Sequence, residues 1–141
     1  MERLEFVTSE MARIAPTYCD LSDAIWQLAE PVYGEVVSAD LHIVQLERAG
    51  FRIGRNVAGI ATAFVAEWGE DGPVIAILGE YDALAGLSQE GGSLVPSAAE
   101  GANDNGHGCG HHLLGAASHA AAIVTARFLE ATGRSGRVRF Y

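Results

Sequence analysis

Residues 73–84, PVIAILGEYDAL, place an uninterrupted apolar run directly before an acidic pair. A continuous apolar run of this length is typical of a strand that is covered on both faces, as in the parallel sheets of α/β proteins. Glu80 and Asp82 follow the run, and residues two apart on an extended backbone point to the same side. Because open α/β sheets bind ligands at the carboxyl ends of their strands, this stretch predicts an α/β fold with a site at this end.

The segments next to this strand complete the predicted sheet region. Residues 59–68, GIATAFVAEW, have the composition of a strand, and the tetrapeptide 69–72 that separates them from 73–79 contains two glycines. We therefore expect the two strands to pair as a β-hairpin. Residues 80–108 show little periodicity, and a loop of this length inside a compact domain is usually functional.

Two helices and one more strand are predicted outside this region. Apolar residues at helical spacing indicate a helix over about 20–50, which Pro31 should kink or split. A second helix is predicted over 109–131, ending at Gly133. Residues 136–141 resemble the start of a strand, at which the sequence stops, so the chain looks cut short.

Composition limits the function classes. The 141 residues are enough for one domain, and 49% of them are hydrophobic, which excludes a disordered chain. The net charge is −9, whereas a nucleic-acid-binding protein needs a basic surface. All nine basic residues are arginine, so a P-loop, a Schiff-base lysine and a pyridoxal phosphate anchor are excluded.

The sequence favours a cytoplasmic protein that does not contact a membrane. Residues 1–10 carry three glutamates and lack the apolar core of a secretory signal. No stretch of about 18 apolar residues is present, so no membrane-spanning helix is expected. The two cysteines, Cys19 and Cys109, lie 90 positions apart, and a chain of this size does not need a disulfide to fold.

Histidines crowd into one segment of the chain. Four of the five, with Cys109 among them, fall between residues 107 and 119, and residues 107–112 have the pattern H-x-C-G-H-H. Thiolate and imidazole are ligands for zinc, while the carboxylates of the acidic pair suit harder ions such as manganese. Cys109 lies where the second helix should begin, and a helix N-terminus stabilises a thiolate. The segment therefore predicts a metal site.

Other interpretations of the same residues stay open. Cys109 could be an inert thiol, or a nucleophile with His107 or His111 as its base, although no third group is evident. Asp82 could cap the turn after its strand. We expect His119 to have a packing or orienting role.

His42 stands apart from this segment. It lies within the predicted first helix, away from the other histidines, and we expect it at the surface.

GEYDAL at 79–84, a glycine-rich loop, and GHGCGHHLLG at 106–115 together resemble the M20 metallopeptidase family. The closest branch is the M20D amidohydrolases, especially those of the aminobenzoyl-glutamate hydrolase type. Residues 22–51 also fit that group, so the resemblance covers nearly the whole chain. It implies a zinc-peptidase-like α/β catalytic domain.

The resemblance implies roles for individual residues. Cys109 matches the cysteine that binds, and typically bridges, two metal ions, and His111 matches a metal-ligating histidine. Asp82 matches the aspartate of the family signature, a catalytic residue that supports the metal site.

Three further residues match less directly. His107 matches the first histidine of the motif, which holds a ligand in place. Glu80 stands where other branches carry a ligating histidine, and His112 stands where the family more often has Asp or Asn. The resemblance assigns no settled role to Glu80 or His112.

The implied activity is metal-dependent hydrolysis of an amide bond in a small molecule or peptide. Acyl-amino acids, dipeptides and aminobenzoyl-glutamate amides all remain open as substrates, as do zinc and manganese as the two ions. Homo- or hetero-oligomerisation of the full-length protein is also open.

Family members run to several hundred residues and carry, further along the chain, a Glu-Glu pair that includes the general base. They also contain a lid or dimerisation domain. Residues 1–141 contain neither, so we expect them to be the N-terminal portion of the catalytic domain, with little activity alone. The alternative is a small standalone metal-binding or interaction module without catalysis.

Overall fold

The computed structural model describes residues 2–100 and 103–141, which form three helices, a short 3₁₀ turn and a four-stranded sheet. In chain order these are α1 (Arg3–Leu28), α2 (Val36–Arg48), β1 (Arg52–Arg55), the 3₁₀ turn (Val57–Gly59), β2 (Phe64–Trp68), β3 (Val74–Ile77), α3 (His111–Thr132) and β4 (Arg137–Phe140). The α/β class predicted from the sequence is confirmed.

The sheet has the order β1-β2-β4-β3, so the predicted hairpin between 59–68 and 73–79 is wrong. Strand β4 lies between the two, antiparallel to β2 and parallel to β3. Helix α3 provides the crossover that a parallel pair requires. Strand β2 instead pairs antiparallel with β1, the strand before it in sequence, which the apolar pattern does not predict. Apolar patterning identifies strands but does not say which strands pair.

The helix predicted to begin near residue 20 begins earlier. Helix α1 starts at Arg3 rather than near residue 20, because its first turns pack against α3, with the rings of Phe6 and Phe128 5.5 Å apart. The break at Pro31 is confirmed, since α1 ends at Leu28 and α2 begins eight residues later. The predicted helix of residues 109–131 corresponds to α3, and the predicted strand of residues 136–141 corresponds to β4.

The core lies between the sheet and the three helices. Helix α3 packs against β3 and β4 on one side and against α1 on the other. Small residues such as Ala120 and Ala122 are buried and allow this close packing. From the sheet, Phe64, Val138 and Phe140 point into the core.

Strand β3 is not covered on both faces as its apolar sequence predicts. Val74, Ile75 and Ala76 are exposed, because β3 is an edge strand that pairs only with β4. Helix α3 packs against one face of β3, and Ile77 contacts the core from there.

Neither cysteine forms a disulfide, and both Cys19 and Cys109 are exposed. None of the helices in the described ranges is long and apolar enough to cross a membrane.

Replacing Leu46 with alanine should destabilise the fold. Its side chain is 0% exposed in the core, so Leu46→Ala leaves a cavity and should lower the free energy of unfolding by about 2–5 kcal/mol. Val44→Ala on the same helix, where the side chain is 42% exposed, is the control and should change it by less than about 1 kcal/mol. Urea unfolding followed by circular dichroism measures both, and equal losses would contradict the placement of the core.

Candidate metal centre

Two segments far apart in sequence meet at the carboxyl end of β3. The loop between them is held by an isolated antiparallel bridge, in which Leu84 and Gly106 exchange two backbone hydrogen bonds of 2.9 Å. A Cβ atom on Gly106 would lie 1.9 Å from the carbonyl oxygen of Leu87, so only glycine fits there. The bridge brings the end of the loop, and with it the start of α3, back to the acidic pair.

At this meeting point, His111 lies between the two carboxylates. Its Nδ1 is 2.7 Å from Oδ1 of Asp82, and its Nε2 is 3.0 Å from Oε2 of Glu80. His111 is the first residue of α3 and follows Gly110, whose φ of 74° favours glycine. The side chains of His111 and Asp82 are 22% and 24% exposed, and that of Glu80 is 48% exposed.

These three side chains fit a divalent metal ion. One donor atom from each lies within 4.8 Å of the others, and a set of one imidazole and two carboxylates suits zinc or manganese. The N-terminus of α3 adds a partial positive charge that favours the carboxylates at this position. The geometry brings together His111 and Asp82, which the sequence singles out, and it adds Glu80, whose role the sequence leaves open.

Helix α3 approaches the acidic pair closely because residue 115 is glycine. A Cβ atom there would lie 2.6 Å from the carbonyl oxygen of Glu80 and 3.2 Å from Nε2 of His42. Gly115 therefore sets the distance between His111, one helical turn earlier, and the backbone that carries Glu80.

Cys109 does not belong to this cluster. It is exposed, and among the described residues the cluster contains only Glu80, Asp82 and His111. Its role as a metal ligand, which the family resemblance implies, stays a prediction.

His107 and His112 lie together on the side of the site that faces α1. Their ring centroids are 4.7 Å apart, and Nε2 of His107 is 3.1 Å from the carbonyl oxygen of Ile25. Burial lowers the pKa of both imidazoles. The contact with Ile25 anchors the segment that precedes His111 to α1. The holding role of His107 stays a prediction.

The prediction that His42 lies at the surface is wrong. His42 and His119 are both fully buried, and their Nδ1 atoms are 3.0 Å apart. The apolar stripe of α2 includes His42, and this stripe faces the core. No sequence signal pairs it with a histidine 77 positions away.

The two rings form a neutral pair behind the cluster of Glu80, Asp82 and His111. One Nδ1–H donates to the other Nδ1, while neither Nε2 has a partner in the described part of the chain. Burial lowers the pKa of His42 to about 4 and lowers that of His119 further, with a contribution from His42. The ring of His42 also lies 5.0 Å from that of Tyr81, the residue between Glu80 and Asp82.

Known proteins match this chain over nearly its whole length. No family model matches the chain. It is 46% identical over 140 residues to a protein of Escherichia coli K12 that is named as one subunit of the p-aminobenzoyl-glutamate hydrolase, covering 99% of this chain and 29% of that protein. It also resembles a Bacillus subtilis structure described as a dinuclear metal-binding peptidase of the M20 family, with a TM-score of 0.63 and 26% identity. Over 94% of its length the chain is thus similar to a structure of the M20 family.

A second solved structure shares the fold at lower identity. A putative aminohydrolase of methicillin-resistant Staphylococcus aureus superimposes with a TM-score of 0.76 at 17% identity, which shows a common fold. The matches cover 94% and 96% of this chain but only 35% and 33% of the B. subtilis and S. aureus chains. The chain thus spans about a third of the length of the proteins that it matches.

Enlarging Gly115 should disturb the contact between α3 and the acidic pair. In Gly115→Ala the new methyl group overlaps the Glu80 carbonyl, and we expect the free energy of unfolding to fall by about 1–3 kcal/mol. Gly54→Ala is the matched control, because its nearest atom, the Val65 carbonyl oxygen, would be 3.9 Å away. Chemical denaturation measures the free energy of unfolding of both variants. An unchanged or more stable Gly115→Ala would contradict the close approach.

The buried histidine pair should make the fold sensitive to acid. Below about pH 6.5 the unfolded chain protonates these histidines, whereas the folded chain keeps His42 neutral down to about pH 4. Stability is therefore complete above about pH 6.5 and falls with decreasing pH, by up to about 1.4 kcal/mol per pH unit for each histidine. In His42→Gln the free energy of unfolding should depend less steeply on pH between about pH 6.5 and 4.5. The difference in slope should correspond to about one proton. Urea unfolding at several pH values measures it, and an unchanged slope would argue against a neutral His42.

Proposed function

We propose that this chain provides one side of a divalent metal centre in an enzyme that hydrolyses amide bonds. The observation that carries the proposal is the position of His111, whose two ring nitrogens contact Asp82 and Glu80 at the start of α3. The activity belongs to the full-length protein, and residues 1–141 supply part of its catalytic domain.

The three side chains have different roles in this proposal. A histidine that binds a metal through one nitrogen usually donates its other N–H to a carboxylate. Asp82 is the more buried carboxylate and lies closer to His111, so it holds the ring through Nδ1. Nε2 and Glu80 then face the metal. Cys109, two residues before His111, is the additional ligand that the family resemblance implies.

A divalent ion bound here would polarise the scissile carbonyl and lower the pKa of a bound water. Zinc and manganese both fit a set of imidazole and carboxylate donors, and a thiolate from Cys109 would favour zinc. The residues of this chain hold and orient the ion.

The name of the E. coli relative supports a proposal for the substrate and the partner. The E. coli protein is named as a subunit of a p-aminobenzoyl-glutamate hydrolase. We therefore propose an acyl-amino acid, a dipeptide or an aminobenzoyl-glutamate amide as the substrate, and a second subunit as a partner of the full-length protein. A cytoplasmic location agrees with the sequence and is part of the same proposal.

The 141 residues alone should bind metal without turning over an amide. No two glutamates are adjacent in the sequence, so the Glu-Glu pair that the resemblance implies is not among these residues. Robust amidase turnover by the purified chain would contradict this assignment. A standalone module that binds metal or a partner is the competing function. An assay of the full-length protein with metal present distinguishes the two functions, because only the enzyme would hydrolyse an amide.

Calorimetric titration of the chain with Zn²⁺ and Mn²⁺ tests the metal centre. His111→Ala should abolish binding, because it removes the imidazole at the middle of the cluster. Asp82→Asn should weaken binding about 10- to 100-fold, as expected for a carboxylate that orients a ligand. Asp71→Asn, an exposed aspartate in the turn before β3, is the matched control and should bind as the wild type does.

Cys109→Ser completes the set. Weaker zinc binding in this variant would support the thiolate ligand, while unchanged binding would remove Cys109 from the proposal. If the wild type and His111→Ala bind equally, the metal centre itself is wrong.

A further inference from the structure

A cavity of about 250 Å³ opens beside the metal cluster. Glu80 and Asp82 form one wall, and Val57, Ile60 and Phe64 form an apolar wall. Ligand pockets for drug-sized molecules start at about 300 Å³, so this one accommodates a group of about one ring. The cavity adjoins the two carboxylates. A substrate group bound in it would therefore lie on one side of the amide bond that the metal centre would cleave.

A buried carboxylate faces the same cavity. Glu35 is only 7% exposed, yet its side chain lines the cavity. Oε2 accepts a hydrogen bond of 2.8 Å from the hydroxyl of Thr62. Oε1 accepts no side-chain hydrogen bond from the described residues and is not among their fully enclosed polar atoms. Because burying a carboxylate is costly unless it is hydrogen-bonded, Oε1 is suited to a donor that enters the cavity.

The charge around the cavity defines the kind of group that fits. Its described lining contains three carboxylates, those of Glu35, Glu80 and Asp82, and no basic residue. A metal ion would neutralise the last two and leave Glu35 as the free acceptor. A carboxylate-bearing half of a substrate would be repelled here, whereas an amino group would donate to Glu35.

The backbone around the cavity is strained. Tyr33, which lines the mouth and is 72% exposed, has φ 65°. Asn56 and Ala58, on either side of Val57, have φ 58° and 56°. Non-glycine residues in this region cost energy and tend to occur where a surface is shaped for binding.

We propose that this cavity binds an amino group on the acyl side of the substrate and that Glu35 determines this preference. The inference rests on the proposed amide hydrolysis for the assignment of the acyl side. It favours the amine-bearing substrate classes over simple acyl-amino acids. The amino group can be an aromatic amine or the α-amine of a dipeptide, and the two sources share the chemistry of an N–H donor to a carboxylate.

The binding of three small amides to the 141-residue chain loaded with Zn²⁺ distinguishes an aromatic amine from an α-amine. They are 4-aminobenzamide, phenylalaninamide and, as the nearly isosteric control, 4-methylbenzamide. Binding is followed by ¹H–¹⁵N NMR, with shift changes expected at the amides of Val57, Ile60 and Thr62. We expect one of the two amines to bind about ten-fold more tightly than 4-methylbenzamide, and the tighter one identifies the source.

Two matched variants assign the preference to Glu35. Glu35→Gln keeps an oxygen for the Thr62 hydroxyl and removes the charge, so the amine preference should fall to less than about two-fold. Glu47→Gln makes the same change at an exposed position of α2 and should keep the full preference. Val57→Trp, at a partly exposed position, should fill the cavity and remove binding of all three amides, which tests the site even if Glu35→Gln fails to fold.

The outcomes separate this inference from the proposed function. Equal binding of the amines and 4-methylbenzamide, no binding of any probe, or a preference that persists in Glu35→Gln would overturn the inference. Zn²⁺ affinity of Glu35→Gln should match the wild type, since Glu35 is outside the metal cluster. If Zn²⁺ does not bind but metal-free chain still prefers amines, the metal centre fails while the amine site stands.

Discussion

The candidate site depends on the close contact between helix α3 and the carboxyl end of strand β3. Gly115 makes this contact possible, because any side chain at that position would overlap the carbonyl oxygen of Glu80. The contact fixes the start of α3, and therefore His111, beside the two carboxylates that follow β3. Protein interiors are close-packed, so adding even one methyl group at Gly115 would displace the residues of the whole cluster.

A second layer of polar residues supports the cluster from the core. The buried pair of His42 and His119 lies behind Tyr81, and the hydroxyl of Tyr81 donates to the carbonyl of Thr62. Thr62 in turn donates to Glu35, the carboxylate of the adjoining cavity. Through Tyr81 and Thr62, the segment that carries Glu80 and Asp82 is therefore joined by hydrogen bonds to the carboxylate of the cavity.

Much of the chemistry could be predicted from the sequence because it is local. The spacing of Glu80 and Asp82 after an apolar strand, and of the histidines around Cys109, depends only on the strand period and the start of a helix. Strand pairing could not be predicted in this way. The 69–72 turn is compatible with a hairpin, but the order of the sheet depends on where α3 returns the chain. The surface position expected for His42 is wrong for the same reason, because its partner is 77 positions away.

The sequence by itself determined the α/β class, the break at Pro31, the helix that begins near His111 and the segments that meet at the site, as periodicity and special residues act over a few positions. Only the tertiary structure decided that β4 separates β2 from β3, that Glu80 joins His111 while Cys109 stays outside the cluster, and that Glu35 is buried beside it. These features arise from contacts between distant segments. Their geometry is set by packing, which no local pattern encodes.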